Sequence, residues 1–291
     1  MATLTDRQFE IDGFVFGWRA PSRIGISDVD FGSPEARTND FDRPRLDGQR
    51  FGREYRSGRL ITLELVTLHT GEQALDDLER FLEAWNAAAV RDSPGDMSVL
   101  RYNVRGRTRR VYGRPREVEL ETADYHLGKI VITAQFMTEG PYFYGDEPEQ
   151  TTVGIAPGIT GGFVFPLSFP ASTIGMGERR EGVVNPSRLP APAVFDIHGP
   201  IENPIIEIPG VWRFQLLTTV HSNQTVRVDT RPWALTVYRD ATNLAGRITV
   251  GSPRLPEMKI PPGPNDLVLR GTDPTATAAL NVQVWPQFTS F

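Results

Sequence analysis

The chain of 291 residues contains no cysteine. That excludes disulfides, thiolate nucleophiles and cysteine-based zinc sites together, and it leaves the redox compartment open. Lysine is nearly missing as well: of 31 basic residues only Lys129 and Lys259 are lysines, a bias that reports a GC-rich genome rather than a need for guanidinium chemistry. The four histidines, His69, His126, His198 and His221, stand apart, with no H-E-x-x-H and no second ligand at metal spacing. No apolar run reaches membrane-spanning length, and Met1-Ala2-Thr3-Leu4-Thr5-Asp6-Arg7 has no apolar leader core, so neither membrane insertion nor export by that route is expected. A net charge of -5 predicts no general affinity for nucleic acid or anionic membrane.

Signatures of catalysis are missing too. There is no G-x-S-x-G elbow and no Walker loop. Gly175-Met176-Gly177-Glu178-Arg179-Arg180 lacks the third glycine of a dinucleotide fingerprint. Asp28-Val29-Asp30-Phe31-Gly32 opens like a calcium loop but reaches glycine too early and lacks the distant glutamate, so ordinary strand-to-turn chemistry is expected. Scattered carboxylates can still meet in space as a glycosidase pair, which sequence spacing does not constrain. No enzyme activity, cofactor or metal is expected.

What is present is β punctuation. Asn185-Pro186, Pro190, Pro192 and Ile197-His198-Gly199-Pro200-Ile201-Glu202-Asn203-Pro204-Ile205-Ile206 place Gly and Pro at turn spacing between β-branched runs, as at the entrance to a β-sandwich. Composition changes near Gly145: 20 basic and 23 acidic residues precede it against 11 and 13 from there on, while prolines go from 6 to 18. Proline is confined to turns, bulges and edges in sheet proteins, so the second part is expected to be all β. Two domains, 1–144 and 145–291, follow, joined by Gly140-Pro141-Tyr142-Phe143-Tyr144-Gly145, whose consecutive aromatics predict a docked, stiff junction.

In the first part, Phe9-Glu10-Ile11 and Phe14-Val15-Phe16 flank Asp12-Gly13, a type I′ hairpin signal. Residues 60–66 and 129–136 read as strands, with 99–104 and 118–120 as weaker ones. One helix over 72–90 is predicted. A capping box starts it at Thr70-Gly71-Glu72-Gln73, an apolar stripe runs through Leu75, Leu78, Leu82, Trp85 and Ala89 with Phe81 and Ala88 widening it, and Asp92-Ser93-Pro94-Gly95 stops it. Its acids, Asp76, Asp77, Glu79 and Glu83, suit an exposed face rather than a carboxylate site. Arg105, Arg107 and Arg109 would share one strand face. That stripe either faces phosphates or acidic partners, lines the bore of a ring, or pairs across a hairpin with Glu117, Glu119 and Glu121 as a charge ladder, the reading we prefer. In the second part, strands are expected over 205–208, 212–220, 225–229, 234–238, 247–250, 267–270 and 278–285.

At these residues the chain resembles the distal tail proteins of siphophages, the long non-contractile-tailed bacteriophages, also called minor tail proteins. The resemblance covers essentially the whole chain. In the first part it rests on the strand-rich start, on Asp47-Gly48-Gln49-Arg50-Phe51-Gly52 ahead of Ser57-Gly58-Arg59-Leu60, and on the single helix. In the second part it rests on Asn185-Pro186, on Gly199-Pro200-Ile201-Glu202-Asn203-Pro204, and on Pro262-Gly263-Pro264-Asn265-Asp266-Leu267 running into the strand that ends at Trp285. No one turn is specific; their order and spacing carry the match.

The resemblance implies a mainly β protein: an N-terminal β-rich domain with one α-helix and a C-terminal galectin-like β-sandwich. It further implies that the first closes into a homo-hexameric ring on the last ring of tail-tube protein, while the second sits at the periphery and bears receptor-binding or other tail-tip proteins. The tape-measure protein is a further expected partner, and the place is the distal end of the virion tail, assembled in the host cytoplasm. Family members are structural and lack catalytic residues. An alternative remains open on the residues themselves, a carbohydrate-binding module that touches the host envelope, since Trp212, Trp233, Tyr238 and Trp285 offer aromatic faces. Trp233, after Arg231-Pro232 in a loop, is its best candidate contact.

Overall fold

The computed structural model describes residues 3–67, 72–124, 129–155, 181–273 and 275–291. The capping box, His69, His126 and the Gly175 to Arg180 motif lie wholly or partly outside them. The chain divides into two compact units, Met1–Asp146 with Phe288–Phe291, and Glu147–Gln287.

The first unit opens as its residues dictate. β1 (Gln8–Ile11) and β2 (Phe14–Gly17) pair across Asp12 and Gly13, whose φ values of 47° and 79° are the two positive angles a type I′ turn requires. β3 (Ile24–Asp30) follows, and Gly32 N–H then donates to Asp30 Oδ1, the strand-to-turn chemistry expected of that acidic run. Short strands β4 (Ala36–Arg37), β5 (Phe41–Asp42), β6 (Gln49–Arg50) and β7 (Tyr55–Arg56) lead to β8 (Leu60–Thr67). After the helical segment come β9 (Ser98–Val104), β10 (Arg107–Glu121), β11 (Val131–Thr138) and β12 (Phe143–Gly145). The antiparallel sheet runs β2-β1-β9-β10-β11-β8-β3, with β12 pairing on β10, and it curls until β2 and β3 lie against each other. Alternation sets the inward face: Ile61, Leu63 and Leu65 of β8 and Ile132, Ala134 and Phe136 of β11 are buried, and their intervening neighbours are not.

The helix departs from expectation at both its face and its end. α1 spans Glu72–Asn86; Ala87 then turns left-handed (φ 45°), and a four-residue α2 (Ala88–Arg91) follows with no buried residue. The buried stripe is Ala74, Asp77, Leu78, Phe81, Ala84 and Trp85, while Leu75 is exposed. Asp77, expected on the solvent face, is buried because its carboxylate accepts the Arg23 backbone N–H at 2.9 Å. Phe81 and Trp85 insert among Phe14, Phe16 and Phe136, closing the aromatic core. The 140–145 segment docks as expected, with Phe143 and Tyr144 buried and Tyr144 edge-on to Tyr112.

The second unit is a β-sandwich. One sheet orders β13 (Glu149–Gly154), β23 (Ala279–Val284), β15 (Ala193–His198), β19 (Thr225–Asp229), β20 (Thr236–Arg239) and β21 (Thr242–Asn243). The other orders β14 (Glu181–Asn185), β22 (Gly263–Thr272), β16 (Ile201–Ile208) and β17 (Trp212–Gln215), with β18 (Thr219–Val220) also on β16. Both inner faces feed one core, including Phe195, Ile197, Ile206, Phe214, Val228, Leu269 and Leu280. Sandwich strands therefore begin at β13, ahead of the Asn185 to Ile206 run. Residues 247–250 are not a strand: Ala245–Arg247 is a 3-10 turn, and only Ile248 bridges to Leu216.

The last four residues return to the first unit and are not part of the sandwich. Phe291 stacks on Phe31 at 4.5 Å between centroids, and Arg59 donates to the Thr289 carbonyl.

Candidate functional site

The feature of the first unit that its own core does not explain is residues 33–57, between β3 and β8. They form an arm of two nested pairings, β4 with β7 and β5 with β6. Local chemistry shapes it. Arg45 (φ 64°) and Gly48 (φ 95°) turn the tip, where Arg43 N–H donates to the Gly48 carbonyl and Leu46 N–H to that of Arg43. Asp47 lies exposed in this tip. Gly52 N–H donates to Asp40 Oδ1, and a Cβ on Gly52 would lie 2.3 Å from the Asn39 carbonyl oxygen, so no larger residue fits. At the base, Ser57 N–H donates to the Glu35 carbonyl while Ser57 Oγ accepts from Glu35 N–H.

The arm carries apolar groups that the unit covers only in part: Phe41, Leu46, Phe51 and Tyr55 are 54%, 70%, 79% and 51% exposed, with the Arg53 guanidinium 5.1 Å from the Tyr55 ring centroid. Six arginines and five acids share the same stretch. Large side chains left in water and rimmed by charge mark a protein-contact surface. Only the Asp47-Gly48 turn signals this arm in the sequence.

Gly58 fixes the arm's root. A Cβ there would lie 1.9 Å from the Thr138 carbonyl oxygen, and Arg59 N–H donates to Thr138 Oγ1 at 2.7 Å. Gly58→Ala is expected to destabilise the first unit by about 1–3 kcal/mol through overpacking. Thermal unfolding checks this, and an unchanged midpoint would contradict it.

The structure does not bring the three candidate arginines together as a stripe. Arg105 and Gly106 form a second positive-φ hairpin turn (54° and 76°) between β9 and β10. Arg107 is exposed at the start of β10. Arg109 is turned inward, its guanidinium 3.5 Å from the Phe288 ring centroid, where burial lowers its pKa. The expected charge ladder is also overturned: Glu117, Glu119 and Glu121 lie on the same strand as Arg107 and Arg109, beyond a bulge between Pro115 and Val118, with β11 as partner.

A buried ion network went unread in the sequence. Glu10, Arg101 and Arg110 are register neighbours across β1, β9 and β10. Arg101 donates to Glu10 and, through Nε and Nη2, to both oxygens of Asp146 at 2.8 and 2.7 Å; Arg110 Nη2 reaches Asp146 Oδ1 at 2.9 Å. Burial pushes the Asp146 carboxyl up, but the hydrogen bonds and charges of Arg101 and Arg110 outweigh it and hold the group below its ordinary value. Ionic residues inside otherwise apolar strands were the available signal.

In the second unit the motif residues are structural. Asn185 is fully buried; its Nδ2 donates to the Leu189 and Ile260 carbonyls, and its Oδ1 accepts from Ser187 N–H and Oγ–H. Asn185→Ala strands those partners and is expected to cost about 1–3 kcal/mol in sandwich stability, read by urea unfolding. Pro186 is the exposed residue that starts this loop. Gly199, joined to Pro200 by a cis peptide, leaves no room for a side chain, since a Cβ would lie 2.2 Å from the His221 carbonyl oxygen. Asn203 (φ 50°) sits in the β16 bulge, with the buried Pro204 accepting from Leu216 N–H. Gly263 (φ 84°) opens β22, and Asn265 Nδ2 donates to the Pro261 and Gly263 carbonyls. Trp233 is half-buried with the Arg231 guanidinium 5.6 Å from its ring centroid, so one of its faces is occupied. Among the described residues no three His, Asp or Glu gather as a metal site.

No family model and no curated protein sequence matches the chain. Solved structures do. The chain is similar to the SPP1 Dit (gp 19.1) protein, described as a paradigm of the hub adsorption apparatus in phages infecting Gram-positive hosts, at 12% identity and a TM-score of 0.61 over 97% of this chain and 98% of that one. It is also similar to a chain of the phage P2 baseplate in its activated conformation with Ca, at 11% identity and a TM-score of 0.55 over 99% and 100%. The Sr form gives 11%, 0.54, 98% and 99%. The likeness is one of fold, mainly β, and it runs essentially from end to end of each chain.

Proposed function

We propose that this chain is a structural hub of a siphophage tail tip: a distal tail protein that assembles as a homo-hexameric ring on the distal end of the tail tube. The observation that carries the reading is the arm at residues 33–57, whose four large aromatic and aliphatic side chains are more than half exposed, as on a protein-contact surface. The end-to-end likeness of fold to a phage hub protein supports the same assignment. In this reading the first unit closes the ring, on the tail-tube protein and around the tape-measure protein, and the sandwich stands at the periphery as the mount for tip and receptor-binding proteins. The reading is of a structural, non-enzymatic role, which the likeness of fold to a phage hub protein and a phage baseplate chain supports. Multi-angle light scattering with negative-stain microscopy of the purified protein tests ring formation. A sixfold ring is the expected result; a monomer at every concentration up to the millimolar range would count against it.

A further inference from the structure

One open cleft of the first unit combines an apolar patch with charged side chains. It lies between α1 and the middle of β10, holds about 620 Å³, and is lined by Leu82, Trp85 and Val118 with Glu79, Glu83 and Glu117 among its polar residues. A volume of that size takes several side chains, within the usual range of ligand clefts, roughly 300–1,000 Å³. Arg91 and Arg116 also line it, so glutamates outnumber arginines by three to two. Trp85, 2% exposed, forms part of the apolar floor of this cleft.

We infer that this cleft receives the arm tip, Arg43-Pro44-Arg45-Leu46, of a neighbouring copy of the same chain. The inference rests on the ring reading above and names the contact that would close it. Two features of the tip match the cleft, an apolar side chain and paired cations, although Asp42 and Asp47 flank them. Leu46, 70% exposed, supplies an apolar plug for Leu82, Trp85 and Val118. Arg43 and Arg45, both exposed, meet Glu79, Glu83 and Glu117. No arm residue lines the cleft within the chain. From its root the arm can reach up to about 40 Å, at roughly 3.3 Å per extended residue, enough to cross to a neighbour.

The complete absence of cysteine makes the test clean. The exposed positions Leu46 and Glu83 are changed together to cysteine, and Arg45 and Glu79 likewise in a second protein, with the four single variants as controls. Each full-length protein is oxidised and run without reductant beside light scattering of the untreated sample. The expected result is a ladder of covalent oligomers from at least one paired variant and at most dimers from the singles. Oligomers by scattering with no ladder from either pair would overturn the arm-in-cleft contact and leave the ring reading standing. Monomers with no ladder would overturn both.

Discussion

Arg101→Met is expected to destabilise the first unit by about 3–5 kcal/mol, the usual cost of removing one partner from a buried ion pair. Arg101 is 5% exposed and joins Glu10 to Asp146. Without it the Glu10 carboxylate faces methionine in place of its cation, and Asp146 keeps only Arg110. Urea unfolding at neutral pH, followed for the first unit's transition, checks the loss; a change below 1 kcal/mol would mean that water reaches the network. The same network sets a pH dependence. The Asp146 carboxyl is depressed in the folded state, so its contribution is fully present above the unfolded value, about 4, and is lost as pH falls through the lower folded value. The midpoint of the first unit should therefore drop below about pH 4 in the natural protein and drop less in Asp146→Asn, which no longer has a depressed carboxylate to protonate.

Replacing residues 37–55 with a short Gly/Ser turn is expected to leave both cores folded and to abolish the ring. The segment contributes no residue to either hydrophobic core but holds all four exposed apolar side chains of the arm. Each is already partly covered, so burial against a partner yields about 1–1.5 kcal/mol apiece, roughly 4–6 kcal/mol per contact and at least a thousandfold in association. Light scattering should report monomers at concentrations where the natural chain is hexameric, with circular dichroism and melting unchanged. A shortened chain that still forms the ring would remove the arm from the assembly.

Much of the fold was legible because it rests on local rules. Asp12-Gly13 names its own turn, and the 2-residue periods of 60–66 and 129–136 mark buried strands whatever they pair with. The failures have physical reasons. Arg105-Gly106 obeys the same turn chemistry as Asp12-Gly13, but read as part of a basic stripe it hid the hairpin and put Glu117 on the wrong strand. Ala87 breaks the helix although alanine is the best helix former, so the break comes from tertiary context and not propensity. Asp77 is buried because of Arg23, 54 residues away in sequence, a partner no window shows. The candidate site was the least legible part. Two-residue strands carry no periodicity, and the exposure of Phe41, Leu46 and Phe51 exists only once the rest of the unit has closed its core without them. The Asn185 and Gly199 turns were visible as punctuation, but only the structure shows that their side chains and spaces are fully used inward.

The most direct measurement is cryo-electron microscopy of intact tails that contain this protein. The expected density is a single sixfold ring at the distal end of the tube, built from the first unit, with each arm on its neighbour and the sandwiches outside. Absence of the chain from that end, or a ring in which the arms contact no neighbouring copy and stand free in solvent, would contradict it.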